Sequence, residues 1–144
     1  MANLAGDTRI GVMQQAFYNF STTSGSPLYI HMKTNIAKSS NIMFYIEAEG
    51  YNYGTTYSIL CGWTGYPYSG DGNLYNVHTY NFYSGMSANG VYLSSDDYVV
   101  IRAYADSHYY NGFVLNSVMA NPNGNNYRVS ISAAVQTSTS GNYY

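Results

Sequence analysis

Residues 41–50 read NIMFYIEAEG, and their pattern decides the fold. Ile42, Phe44, Ile46 and Ala48 recur at every second position, with Glu47 and Glu49 on the opposite parity. Side chains alternate across a strand, so this spacing turns one row toward a core and the other toward water. On the N-terminal side, residues 28–33 repeat the pattern: Leu28, Ile30 and Met32 point one way, and Tyr29, His31 and Lys33 the other. On the C-terminal side, after a turn at residues 50–54, Tyr57, Ile59, Cys61 and Trp63 alternate with Ser58, Leu60 and Gly62.

The same period continues through residues 74–83, 98–105, 112–119 and 127–136, the last placing Val129, Ile131, Ala133 and Val135 on one face. Asn121, Pro122, Asn123, Gly124 and Asn125 form a hairpin signal, because Asn and Gly tolerate positive φ and Pro presets its own. Gly65, Pro67, Gly70 and Gly72 read as a long irregular loop carrying Tyr66 and Tyr68. Short strands separated by turns, with no amphipathic helical window between them, predict an all-β fold: an antiparallel β-sandwich or jelly roll over residues 26–144. Residues 1–25 lack the alternation and end in the polar run Ser21, Thr22, Thr23, Ser24, Gly25. They read as a short N-terminal arm or docking segment, with a strand of the same sheet as the equal alternative. A helix is expected only over residues 11–19.

The chain has 144 residues, enough for one domain of roughly 100 to 200 residues. Only 8% of them are charged and the net charge is -2, so little long-range repulsion keeps copies apart and self-association is expected. Arg9, Lys33, Lys38, Arg102 and Arg128 are scattered rather than clustered, which argues against nucleic acid. The single cysteine, Cys61, precludes an intrachain disulfide and reads as a small buried hydrophobe. No stretch approaches the roughly 18 apolar residues of a membrane-spanning helix, and residues 1–10 lack a secretory leader's apolar core. Neither secretion nor membrane insertion is expected.

The chemistry-bearing residues form no catalytic motif. There is no Gly-x-Ser-x-Gly elbow, no phosphate loop and no His-Glu-x-x-His pair. Glu47 and Glu49 share a strand face, but a solvated face or a subunit contact explains them better than an acid–base pair, whose members usually come from separate elements. Asp71, Asp96 and Asp97 lack a calcium-loop spacing, and His31, His78 and His108 lack a zinc spacing, so turn capping and ordinary surface roles are expected, with no metal and no cofactor. The expectation is a protein that is not an enzyme.

The 19 tyrosines are the strongest signal, since Tyr offers a broad apolar face with a polar tip and is enriched at binding surfaces. Trp63, Tyr66 and Tyr68, with Asp71 and Asn73, form the candidate contact set: aromatic rings to cover a sugar face beside groups that bind hydroxyls, or the same residues packed between subunits.

Several segments resemble one family. LYIHMKTNI (28–36), EGYNYG (49–54), SSDDYVVIRAY (94–104), YYNGF (109–113) and the closing SGNYY are similar to C-terminal modules of tail-fibre and other virion surface proteins of tailed phages, especially those infecting cyanobacteria. The resemblance implies a β-rich virion structural protein on the particle surface, made in the host cytoplasm and assembled as a homotrimer. It brings no catalytic residues. A module starting so near its own Met suits a short tail fibre or a capsid decoration or cement protein, joined to other virion proteins through residues 1–25. The alternative is a lectin-like receptor-binding module for host surface glycan.

Overall fold

A computed structural model of the chain describes residues 14–18, 28–52, 57–83, 85–105, 111–120, 136–138 and 142–144. Among them run nine strands: β1 (Gln14–Tyr18), β2 (Leu28–Ala37), β3 (Met43–Asn52), β4 (Tyr57–Tyr68), β5 (Asn73–Asn81), β6 (Ser87–Leu93), β7 (Tyr98–Ala105), β8 (Asn111–Ala120) and β9 (Gln136–Ser138). They form two antiparallel sheets, one ordered β1-β8-β3-β4-β5 and the other β6-β7-β2-β9, packed face to face as a β-sandwich. The hairpins β3–β4, β4–β5 and β6–β7 stay within one sheet, whereas the connections β2–β3, β5–β6 and β7–β8 pass between sheets.

The alternation read from residues 42–48 sets the core. Ile42, Phe44, Ile46 and Ala48 of β3 are buried with Ile59, Cys61 and Trp63 of β4 and Phe113 and Leu115 of β8. From the other sheet they meet Ile30, Met32 and Ile36 of β2 and Val99, Ile101, Ala103 and Ala105 of β7. Trp63 spans the interior, its indole N–H donating to the carbonyl of Arg102 in β7 at 2.9 Å, so a core residue also ties one sheet to the other. Thr34, wholly buried, donates to the Val99 carbonyl at 2.8 Å and accepts from the Ile36 N–H at 3.1 Å. It satisfies backbone groups where the β2–β7 register shifts.

Two expectations change and one strand is added. Residues 14–18 are a strand paired with β8, which is the strand alternative for the N-terminal segment and not the helix expected over residues 11–19. The long loop expected around Gly65 and Pro67 is strand: β4 runs to Tyr68, and only Ser69–Gly72 turns, closed by the Gly72 N–H on the Tyr68 carbonyl at 2.9 Å. Pro67 fits because β3 pairs with β4 only as far as Gly65, so Pro67 lies beyond that partner and costs no ladder bond on that side. An additional strand, β6, outside the alternating runs read from the sequence, passes through Asn89 and Gly90; Gly90, at φ 149, sits in a bulge opposite β7. The turn signal at residues 121–125 and the row Val129, Ile131, Ala133, Val135 lie outside the described residues.

The β6–β7 turn follows its aspartates. Asp97 takes φ 66, its N–H donates to the Ser94 carbonyl at 2.9 Å and the Ser94 N–H donates to Tyr98 at 2.8 Å, a three-residue loop with its third residue left-handed. Lys33 of β2 reaches Asp96 at 2.5 Å, and Lys38, in the short 3-10 turn Lys38–Ser40, reaches Asp97 at 2.9 Å. These carboxylates therefore fasten the turn to its neighbours.

Candidate functional site

The outer face of the five-stranded sheet carries four of the five candidate residues and much of the exposed aromatic surface. A one-residue irregularity decides which side chains it presents. Thr64 pairs with His78 but Tyr66 pairs with Tyr75, so Asn76 and Val77 of β5 together oppose Gly65, and Asn76 takes φ 50. A bulge shifts the side-chain parity of the strand that holds it. Without it, Tyr75 and Tyr80 would project from opposite faces; with it, both share the outer face with Tyr66 and Tyr68.

At the hairpin end of this face the Tyr66 and Tyr68 rings lie 6.1 Å apart, tilted by 29°, and Tyr75 stands edge-on to Tyr68 at 6.2 Å. Tyr68 and Tyr75 are each 44% exposed. Asp71 sits in the turn beside them. One carboxylate oxygen accepts from the Asn73 N–H at 3.0 Å and the other from the Tyr75 hydroxyl. Those two donors, the hydroxyl first, hold the Asp71 carboxyl below its ordinary range, and the same bond raises the Tyr75 phenol. Asn41 braces the turn from behind, donating to Ser69 Oγ at 2.8 Å and accepting from the Ser69 N–H at 2.9 Å.

Midway along the face, Gly62 of β4 supplies a gap. A Cβ there would lie 2.4 Å from the Tyr80 ring, so only glycine lets that ring cross β4 from β5 toward β3. Tyr80 and Tyr45 stack at 6.1 Å, and both hydroxyls converge on one oxygen of Glu47, Tyr45 at 2.6 Å. The hydroxyls are also 2.5 Å apart, leaving two phenolic protons for three short edges; we assign both protons to Glu47, the charged acceptor. Burial, followed by the bond to Glu47, raises both phenols. At the far end, Tyr51, Phe82 and Tyr83 are more than half exposed, Phe82 at 73%.

Of the five residues singled out from sequence, the fold brings four together and sends one away. Tyr66, Tyr68, Asp71 and Asn73 cluster at the hairpin, whereas Trp63 has the opposite parity and is wholly buried in the core. Tyr75 takes the place Trp63 was expected to fill, and only the bulge at Asn76 reveals it. Glu49 is exposed, while Glu47 is engaged by the two tyrosines rather than set as half of an acid–base pair. His78 is exposed on β5, His31 is buried in the other sheet, and His108 lies outside the described residues. Among the described residues no three of His, Cys, Asp or Glu gather as a metal site. Burial pushes the Cys61 thiol up to about 12, which keeps it protonated near neutral pH.

The outer face of the four-stranded sheet is built differently. His31 and Val100 lie on it, yet both are fully buried. The Tyr92 hydroxyl of β6 lies 2.9 Å from His31 Nδ1 and accepts from the N–H groups of Tyr143 and Tyr144 at 3.2 and 3.4 Å. Arg102 donates to Asn142 at 2.8 Å, and Lys33 lies 5.4 Å from the Tyr144 ring centre. The chain's last residues thus fold back over this sheet. Burial, and secondarily the Arg102 charge, lowers the His31 pKa.

Fold and face together define a β-sandwich whose five-stranded sheet presents a tyrosine-lined surface outward. No protein-family model, curated protein or solved structure matches the chain.

Proposed function

We propose that this chain is a non-enzymatic virion structural module of a tailed phage, a short tail fibre or a capsid decoration or cement protein that assembles as a homotrimer on the particle surface. The observation that supports assembly is the far end of the open sheet face, where Tyr51, Phe82 and Tyr83 expose broad apolar rings that no part of the described chain covers. Large exposed rings grouped at one end of a sheet are suited to interaction, and a net charge of -2 offers little repulsion between copies. The particle and the number three rest on the sequence resemblance to phage surface modules.

Light scattering on the purified chain, with and without residues 1–13, a truncation that leaves β1 in its sheet, tests the proposal. A mass three times that of the chain, lost on Phe82→Asp, is the expected result. A monomer at every concentration, or a trimer indifferent to Phe82→Asp, would overturn the assembly surface. Retention of the trimer without residues 1–13 would separate those residues from self-assembly and leave them for other virion proteins.

A further inference from the structure

We infer that the hairpin end of the open face, Tyr66, Tyr68 and Tyr75 with Asp71, is a binding site for an extended, uncharged glycan chain lying along β4 and β5. The inference does not depend on the assembly proposal, which uses the opposite end of the face.

Four observations carry it. Tyr68 and Tyr75 are exposed and Tyr66 is half-buried, although each ring would gain by burial, and the core is complete without them. They are also held in place. Tyr68 packs against Gly70, where a Cβ would lie 2.5 Å from its ring, and the Tyr75 hydroxyl is anchored on Asp71. Rigid rings lose little entropy on binding, which is what a weakly hydrated sugar face needs from its partner.

The third observation is the bulge. A regular β5 would turn Tyr75 away from Tyr66 and Tyr68, and bulges recur where a strand re-aims a functional side chain. Here it aligns the hairpin tyrosines with Tyr80 and Tyr45, giving an aromatic row from Tyr68 to the level of Gly62. Six residues of strand span about 20 Å, long enough for several sugar units in an extended chain.

Charge decides the class of glycan. Asp71 stays ionised and keeps acceptor capacity on both oxygens for sugar hydroxyls. Lys38, a cation that lies against Gly72 at the turn, is paired with Asp97. A negative group among neutral hydroxyls and amides repels sulfated or uronic chains and accepts hydrogen bonds from neutral ones. Trp63, facing the core, takes no part.

Affinity electrophoresis of the full chain through gels holding laminarin, dextran or galactomannan, and in parallel dextran sulfate, tests the site. Retardation by at least one neutral polymer and none by dextran sulfate is expected. The double variant Tyr68→Ala, Tyr75→Ala should weaken retardation at least tenfold while keeping its melting temperature and its mass in solution. No retardation by any of the three neutral polymers, preference for dextran sulfate, or undiminished binding by the double variant would each overturn the inference. A chain that binds glycan but fails to trimerise, or the reverse, separates this site from the assembly surface.

Discussion

The two outer faces of the sandwich start from the same kind of residues and end differently. On the four-stranded sheet the outward row includes Tyr29, His31 and Arg102, and residues 142–144 return over it until His31 and Val100 lose all contact with water. On the five-stranded sheet the outward row includes Tyr45, Glu47, Tyr66, Tyr75 and Tyr80, and much of it stays open. A chain with 8% charged residues makes its surface from hydroxyls and rings, and such groups either satisfy one another within the chain or remain for a partner. The clasped face takes the first course. The open face takes it only in part, at the Tyr45–Glu47–Tyr80 triangle, and leaves both ends available.

The largest expected effect comes from removing what both faces stand on. Trp63→Ala deletes the residue that fills the core between β4 and β7 and bonds to the carbonyl of Arg102, the residue that also holds Asn142. A loss of about 3–5 kcal/mol is expected from urea unfolding. A loss under about 1 kcal/mol would mean that the sheets are not bridged there.

The comparison itself is tested by cutting each face. Deleting residues 142–144 uncovers His31 and Val100 and removes two N–H donors from Tyr92, for an expected cost of about 1–3 kcal/mol. Tyr68→Ala or Tyr75→Ala on the open face should each cost less than about 0.5 kcal/mol, as exposed positions do. Thermal melts of the three proteins side by side decide; equal costs would erase the distinction between a clasped and an open face.

The parts of this contrast legible in the sequence are those that period-two spacing controls. Ile42, Phe44, Ile46 and Ala48 declared the core face of β3, and Ile59, Cys61 and Trp63 that of β4. Extending that reading shows Trp63 to be on the core side already, so grouping it with Tyr66 and Tyr68 mixed two parities of one strand. Gly and Pro hid the rest. Gly65 and Pro67 resemble loop residues yet pair within β4, and Asn89–Gly90 resembles a turn yet forms a bulge in β6. No local signal announces that Gly62 is vacant so that Tyr80 can cross it, because that requirement comes from the neighbouring strands. Nor does His31 carry a mark of burial: the residues that cover it arrive from the other end of the chain.

Acid should distinguish the faces next. Tyr92 accepts from two backbone N–H groups, so its own proton points to His31 Nδ1, a bond that only the neutral imidazole can accept. The folded pKa is lowered, so the unfolded chain takes up a proton near pH 6.5 that the folded chain refuses. Stability from this source is complete above that pH and is lost as pH falls below it. Asp71 and Asp96, also lowered, act only at lower pH, around and below the ordinary carboxyl range near 4. The melting temperature should therefore drop between pH 7.5 and 5.5, and His31→Gln should flatten the drop. An unchanged slope in that variant would remove His31 from the account.

The smallest effect sharpens where the open face begins to give way. Cys61 lies in β4 beside the edge strand β5, paired with Asn81, whose carboxamide accepts from the Ala88 N–H at 2.6 Å and so joins the edge of one sheet to the edge of the other. With its thiol pushed up to about 12 and no exposed surface, Cys61 reacts with iodoacetamide only when this edge opens. Asn81→Ala removes the join and should raise the native alkylation rate several-fold at constant pH. Deleting residues 142–144 acts on the opposite side of the sandwich and should leave that rate close to its original value, measured under conditions where both proteins remain fully folded. If the truncation accelerates alkylation as much as Asn81→Ala does, the two faces open together, and the sandwich behaves as one cooperative unit rather than as a clasped sheet supporting an open one.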